Sequence, residues 1–333
     1  WLDNDGILDE PLKIALDLTI SGETMKLDFS RSSPACAGPV NIALSTAVAS
    51  VYVAIKHVFN DVPANSGVLD PVEIIIPDHT LLAVKAPKPV GGYTETILRL
   101  IDVVFGAMAK VAPERSNGCA YGTINALSLA GYRRDGRRWV MFSFFGGGHG
   151  GHPKGDGLNH GNAPISTATI PPLEILESAY PMFFTKWALR PDSGGAGLNR
   201  GGLGAIYEIE LLEENADVFL FGERGRYAPA GVHGGGYGAL NIFSYEQDDG
   251  YHKPPMASKM VGIKIKKGQH LHLETPGGGG YGNSKDRDPE AVKRDVGLGY
   301  VTMEGAKHDY GVVLNENGTV DQTQTDKLRA SIY

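Results

Sequence analysis

The sequence predicts a mixed α+β fold that is rich in strands, with antiparallel sheets, glycine-rich loops and a few helices. Three observations carry the prediction. From residue 117 onward the apolar residues fall in short runs broken by glycine, the spacing of an antiparallel or barrel-like assembly. Two earlier stretches, residues 41–59 and 95–111, space their apolar residues at helical intervals instead. Near the start, residues 14–20 and 24–29 alternate apolar and polar on either side of Ser21-Gly22-Glu23, the pattern of a β-hairpin. The chain accordingly divides into an α+β lobe over residues 1–115, a strand-rich glycine-loop lobe over 116–284 and a helical extension over 285–333.

Residues 1–11 are acidic (Asp3, Asp5, Asp9, Glu10) and read as a surface connector. After the hairpin and a turn at Ser33-Pro34, residues 41–59 are rich in Ala and Val; their spacing favours a helix and their β-branched content weighs against it. Val72-Glu73-Ile74-Ile75-Ile76-Pro77 reads as a strand, and Leu81-Leu82-Ala83-Val84 as a short element. The second helix, residues 95–111, places Ile97, Leu98, Ile101, Val104, Phe105 and Met108 on one face, with Thr94 as N-cap and Pro113 beyond its end. Strand-like runs follow at 125–129, 139–145, 183–189, 205–212, 218–221, 241–245, 262–265 and 271–274. Residues 286–309 turn helical again, with Pro289 at a helix start, and the remainder is polar apart from Val312-Val313-Leu314.

A chain of 333 residues can bury a sizeable core. Its 42% apolar and 21% charged residues belong to a soluble globular protein. Against 38 Asp and Glu stand 31 Lys and Arg, a net charge of −7 with no clustered basic face, so nucleic acid is not an expected partner. Cys36 and Cys119 lie far apart and outside any CxxC context, which predicts reduced thiols and a cytoplasmic location. No apolar run is long enough to span a membrane and no signal-peptide pattern is found, so a membrane is not an expected partner either. The chain opens on Trp1, not Met, as expected of a start that has been removed or of a piece of something longer.

The most distinctive stretch runs from residue 144 to 161: Phe-Phe-Gly-Gly-Gly-His-Gly-Gly-His-Pro-Lys-Gly-Asp-Gly-Leu-Asn-His-Gly. Its 8 glycines in 18 residues forbid a regular helix or strand, because each adds backbone entropy and offers no side chain to pack. It must be a shaped loop. It follows the apolar run of residues 139–145 and carries His149, His152, Lys154, Asp156, Asn159 and His160, polar groups delivered at the end of a core strand where they can line a site. The alternative is a tight glycine loop whose imidazoles are merely solvated. His149, His152, Asp156 and His160 also invite a metal, since imidazole and carboxylate suit zinc or manganese. A glycine-rich loop does not preset ligand geometry as a helical turn would, so none of them is assigned as a metal ligand.

Other motifs are weaker. Asp192-Ser193-Gly194-Gly195 looks like a serine-protease nucleophile segment but lacks a companion histidine motif, which leaves a glycine turn. There is no GxxxxGK[ST], CxxC or HExxH. His270 and His272 share one strand face and read as surface or packing residues. Glycine clusters at 193–204, 231–238 and 276–282 call for close backbone approach, to another strand or to a ligand. Arg190, Arg200, Arg224 and Arg226 beside them could hold a carboxylate or phosphate, or could be ordinary surface or interface arginines. Glu95 opens a helix, where the dipole favours its charge; a dipole partner and a functional group are equally good readings.

Several segments together resemble the hydantoinase B/oxoprolinase family: Trp1-Leu2-Asp3-Asn4-Asp5-Gly6; Leu27-Asp28-Phe29-Ser30 with Ser33-Pro34; Gly38-Pro39-Val40-Asn41; Glu95-Thr96; Arg190-Pro191-Asp192-Ser193-Gly194-Gly195-Ala196-Gly197 with Arg200-Gly201-Gly202; and Glu274-Thr275-Pro276 through Tyr281-Gly282. The resemblance is spread over nearly the whole chain and corresponds to about the second half of a typical member. It implies part of the B-type subunit of an ATP-dependent enzyme that opens cyclic amides such as hydantoins, 5-oxoproline and lactams. A hydantoinase A-like ATP-binding subunit would phosphorylate the substrate oxygen, turning a poor electrophile into one with a leaving group, and the B part would complete hydrolysis with a metal-bound hydroxide.

The resemblance further implies ATP, Mg and a divalent metal (Zn or Mn) in the complex. The family's metal ligands fall in the preceding N-terminal half of the B-type subunit, so none is carried onto this chain and that half is expected as a partner. Where many relatives have a His-x-His-Met run after the equivalent of Asp156-Gly157, this chain has Asn162-Ala163-Pro164-Ile165, which leaves the substrate open. On this reading His149, His152, Asp156 and His160 serve catalysis, and Asn41, Glu95 and Asn159 contact the small cyclic amide. Two alternatives remain open: a component of an ATP-dependent ketone carboxylase of the acetone/acetophenone type, and a non-catalytic assembly chain.

Overall fold

The computed structural model describes residues 1–162, 164 and 171–330. The hairpin forms as expected, from β1 (Asp17–Ser21) and β2 (Thr24–Asp28), and β3 (Val72–Ile75) adds to β2 in parallel. Two helices pack against it, α1 (Leu44–Val58) and α2 (Tyr93–Met108). Their 3.6-residue stripes, Ala47, Val51, Ala54 and Val58 on one and Ile97, Ile101, Val104 and Met108 on the other, meet Leu27, Phe29 and Ile42 in one buried cluster. Leu81-Leu82-Ala83-Val84 is a correction: all four are buried, but as turns plugging this cluster and not as a regular element. The N-cap of α2 is Gly92, with no side-chain cap, and not Thr94.

The remaining strands build a sandwich. β4 (Ala126–Tyr132), β5 (Arg138–Phe144), β8 (Asn215–Phe221) and β11 (Lys259–Lys266) form a four-stranded sheet in the order β11-β8-β4-β5. β6 (Met182–Leu189), β7 (Ala205–Leu211), β9 (Ile242–Gln247), β10 (Gly250–His252) and β12 (His270–Glu274) form a five-stranded one in the order β10-β9-β12-β7-β6. All pairings within both are antiparallel. Alternation decides the facing: β7 buries Ala205, Tyr207, Ile209 and Leu211 against Leu127, Leu129, Val218 and Leu220 of the other sheet. Each such aliphatic side chain stabilises the fold by about 1.5–3 kcal/mol.

Both β10 and α3 (Leu173–Ala179) are absent from the sequence expectation. The helical stretch expected over 286–309 is two helices, α4 (Pro289–Gly297) and α5 (Met303–Tyr310), because Gly299 takes a left-handed φ of 71° between them. The polar tail expected beyond them includes α6 (Gln322–Ala330), which packs by the buried Thr325.

The glycine clusters meet at one end of the sandwich, where β5 and β12 end and β7 and β9 begin. They pack backbone on backbone. Gly148 lies so close to Gly202 that a Cβ would stand 1.7 Å from its carbonyl oxygen, and one on Gly278 would stand 2.0 Å from that of His149. Main-chain hydrogen bonds knit them: Gly202 N to His149 O (2.7 Å), Gly195 N to Gly278 O (2.8 Å), Gly280 N to Gly236 O (2.9 Å) and Gly151 N to Gly279 O (2.9 Å). As at the axis of collagen, only a residue without a side chain fits. The close approach expected of these clusters is therefore to one another.

Candidate functional site

The loop after β5 turns back on itself through paired bonds between Gly147 and Gly161 (3.0 and 2.8 Å) and from His149 N to Leu158 O (2.9 Å). This return sets the His149 ring against Gly161 and Asn162, directly after His160 in the chain. The Nε2 of His149 is hydrogen-bonded to the main-chain oxygen of Asn162. A carbonyl only accepts, so Nε2 carries the proton and Nδ1 is the basic nitrogen. The Tyr121 ring lies 6.3 Å away, and its hydroxyl donates to Asn162 Oδ1 at 3.3 Å.

His160 takes a left-handed φ of 47°, an unusual backbone state for a side chain of its size. Its Nε2 accepts from Trp187 Nε1 at 3.2 Å and is hydrogen-bonded to the Tyr207 hydroxyl. Trp187, Tyr207 and Phe145 stack edge to face around it, with Tyr207 4.9 Å from Trp187 and 4.6 Å from Phe145. An indole N–H only donates, so His160 is the tautomer protonated at Nδ1. Burial pushes both imidazoles below the usual histidine range, which keeps them neutral near pH 7. Two neutral imidazoles framed by aromatic rings can accept a proton or hold a polar group in a partly dry setting. Of the tetrapeptide that departs from the family pattern, Ala163 and Ile165 lie outside the described residues.

Asp156 and Asn159 sit behind this pair and share Arg200. Asp156 Oδ1 accepts from Arg200 N (2.7 Å), and Asn159 Oδ1 accepts from Leu203 N (2.9 Å) and Arg200 Nη1 (3.3 Å). Both Asp156 oxygens also receive the Arg287 guanidinium, at 2.6 and 2.7 Å. Burial pushes the Asp156 carboxyl up, and Arg287 more than reverses it, leaving the group below the usual carboxylate range. Arg287 in turn pairs with buried Asp295 at 2.7 Å. These contacts hold the loop against α4.

The other expected site residues lie elsewhere. His152 borders a surface depression of about 480 Å³ with His57, Asp61, Glu114 and Arg115, and its Nδ1 accepts from Lys154 N at 3.2 Å. Asn41 is fully buried: its Oδ1 accepts from Cys36 N (2.9 Å) and its Nδ2 donates to Gly38 O (2.9 Å) and Pro89 O (3.0 Å), so it shapes a turn. Glu95 is fully buried in a second polar centre between the helices and the sandwich, where its Oε1 accepts from Ile124 N at 3.0 Å. There Glu223 pairs with Lys259 and accepts from Asp3 N at 2.7 Å, while Asp102 pairs with Arg224 and, at 3.4 Å, Arg99. Burial first, then neighbouring Glu223, pushes the Glu95 carboxyl up to about 7.

All four glycine-flanking arginines hold internal carboxylates: Arg190 that of Glu274, Arg200 that of Asp295, Arg224 that of Asp102 and Arg226 that of Asp9. Ser193 donates to Arg190 O and accepts from Gly204 N, a turn residue as read from its motif. His270 and His272 pair with Glu246 and Glu274 on the sheet surface. Sequence reasoning missed Tyr121, Trp187, Tyr207 and Arg287. Trp187 and Tyr207 are facing residues of β6 and β7, and a Tyr at an inward strand position is a usable signal because its hydroxyl needs a partner when buried.

Among the described residues no group of three or more His, Cys, Asp or Glu could hold a metal ion. The loop's own candidates do not converge: His149 keeps only Nδ1 free, His152 faces a separate surface depression, His160 Nε2 is taken by Trp187 and Tyr207, and Asp156 by Arg287. A metal of the kind the family resemblance implies does not fit here. Among the same residues no helix is long and apolar enough to cross a membrane.

A family model described as hydantoinase B/oxoprolinase matches residues 1–284. The B component of a putative D-/L-hydantoinase from Pseudomonas sp. (strain NS671) is 27% identical over 99% of this chain, which covers 56% of that protein. The crystal structure of ATP-dependent caprolactamase from Pseudomonas jessenii superposes with a TM-score of 0.85 at 26% identity, over 95% of this chain and 56% of that one. A nucleotide-free acetone carboxylase superposes at 0.80 over 96% of this chain and 48% of that one, but at 20% identity, a likeness of fold alone. The chain thus spans about half the length of these relatives.

Proposed function

The chain belongs to the hydantoinase B/oxoprolinase family, and from that premise we propose that it is part of the B-type subunit of an ATP-dependent cyclic amide hydrolase. In this reading a hydantoinase A-like partner phosphorylates the substrate oxygen, further polypeptide of the B-type subunit supplies what this chain lacks, and this chain walls the cavity in which the ring opens. The reading rests on the likeness to caprolactamase, which runs through nearly the whole chain in both sequence and fold.

An amide carbonyl resists attack because nitrogen donates into it. A phosphorylated amide oxygen is a leaving group, so what remains is to hold the charged intermediate and manage protons. We assign that task to His149 and His160: neutral imidazoles carried by one loop can take up the proton released as water adds. Asp156 and Asn159 hold the loop, and Asn41 and Glu95 act at a distance as positioning residues. His152 stays a candidate for substrate entry from the surface depression. The metal and nucleotide of the assembly fall to other polypeptide.

Reconstitution with the A-type partner tests this. Hydrolysis predicts ATP-dependent release of an amino acid from a lactam or hydantoin, and at least a hundredfold slower turnover in His149→Ala with assembly intact by size-exclusion chromatography. Incorporation of bicarbonate would make the complex a carboxylase. Full turnover in His149→Ala and His160→Ala would make this chain a scaffold.

A further inference from the structure

β6 carries a one-residue bulge beside the site. Its first residues pair Met182 with Leu211 and Phe184 with Ile209, a register that would bring Lys186 opposite Tyr207. The register shifts between Phe184 and Lys186, and Trp187 takes that place instead. Burial follows the shift: Met182 and Phe184 are buried, Thr185 and Lys186 are both exposed, and Trp187 turns in to pack on the core. A bulge that re-aims one side chain in this way is a built feature. Inside, Trp187 Nε1 donates to His160 Nε2 at 3.2 Å, and because that nitrogen is bare the Tyr207 hydroxyl beside it also donates. The residues that follow are held as firmly. His160 N donates to Leu203 O (2.7 Å), and Gly161 exchanges two main-chain bonds with Gly147. The His149 ring lies on Gly161, where a Cβ would stand 2.7 Å from its Nε2, and that Nε2 donates to the Asn162 carbonyl. Such a bond decides which ring nitrogen is left to act as base.

We propose that Trp187 and Tyr207 are positioning residues: they clamp His160 in one tautomer, and through residues 160–162 the Asn162 carbonyl orients His149 so that its Nδ1 is the base. The two histidines then divide the work. His160, its bare nitrogen already filled by two donors, anchors the segment. His149 accepts: as the water oxygen bonds the activated carbon, the electron pair of the C=N bond returns to nitrogen and the water's proton passes to His149 Nδ1. The left-handed φ of 47° at His160 fits an anchor, since such a backbone state persists only where its surroundings over-determine it. The clamp acts at a distance from the reacting atoms, where a shift of about 1 Å can still cost on the order of a hundredfold in rate.

This inference rests on the proposed amide hydrolysis, and its test separates the two. Trp187→Phe and Tyr207→Phe each keep an aromatic ring and remove one donor to His160. With nitrogen-15 in the histidines, long-range proton–nitrogen NMR of the chain reads which ring nitrogen is bare. The parent should show His149 bare at Nδ1 and His160 bare at Nε2. In the doubly substituted protein both rings should populate both tautomers, and in the reconstituted complex kcat should fall by about tenfold or more with KM within about twofold. Either single variant should show the same changes, smaller, and decides the matter where the double one does not fold. A His149 that keeps one tautomer in the variants, or an unchanged kcat in a complex that hydrolyses lactams, would overturn the clamp and leave the activity standing. Mixed tautomers in the variants of a complex that hydrolyses nothing would uphold the clamp and sink the proposed activity.

Discussion

Replacing Glu95 by Gln should change how stability depends on pH more than it changes stability at any one pH. The side chain is fully buried, with Oε1 on Ile124 N and Oε2 without a partner among the described residues. Burial and the nearby Glu223 carboxylate push it from 4.5 up to about 7. In the unfolded chain it ionises at the ordinary value. Between these two pH values the folded state therefore holds the extra proton, and stability from this group is present below pH 4.5 and lost as pH rises through 7. Linkage with these two values gives a loss of about 2.5 kcal/mol between pH 5 and pH 8. Glutamine keeps the oxygen that meets Ile124 and cannot ionise. Urea unfolding of both proteins at pH 5, 6, 7 and 8 reads the difference directly: Glu95→Gln should gain on the parent by about 2.5 kcal/mol from the first pH to the last. A difference that stays constant across the series would refute the assignment of a neutral, desolvated carboxyl at this position.

Three further outcomes follow from the same geometry. Gly148→Ala puts a methyl 1.7 Å from the Gly202 carbonyl oxygen, backbone against backbone, and should cost more than about 3 kcal/mol or abolish soluble expression, whereas Gly91→Ala, with nothing within 4 Å, should stay within about 0.5 kcal/mol by urea midpoint. Arg287→Ala strips Asp156 and buried Asp295 of their shared cation and should destabilise by about 3–5 kcal/mol in the same assay, loosening the loop that carries His149 and His160. Burial lowers His149 and His160, so the folded state binds fewer protons and stability falls as pH drops below 6.5; in thermal melts at pH 7 and 5.5, His160→Gln should lose less than the parent, and an equal loss would show that His160 does not titrate in this window.

The elements themselves were legible in the sequence because their signal is local. The alternation in Thr24-Met25-Lys26-Leu27-Asp28, the helical stripe from Ile97 to Met108 and the apolar-polar beat of residues 205–211 each decide a conformation within a few residues, and each formed close to its expected bounds. Boundaries failed where the deciding feature was a single backbone state, as at Gly299, or where burial without regular structure imitates an element, as at Leu81 and Leu82. Family membership was also readable, since its motifs are runs of adjacent residues.

What tertiary structure alone decided was which distant groups meet. That Asp156 takes the Arg287 guanidinium, that the glycine clusters pack on each other, and that His149 bonds Asn162 and His160 bonds Trp187 and Tyr207 while His152, Asn41 and Glu95 stand apart all depend on how the chain folds back on itself, as the 131-residue separation of Asp156 and Arg287 shows. A lone charge or glycine looks the same in sequence whether its partner is water, a ligand or another segment. The energy that distinguishes these comes from desolvation and close packing, which exist only once the two sheets have closed and brought the strand ends together.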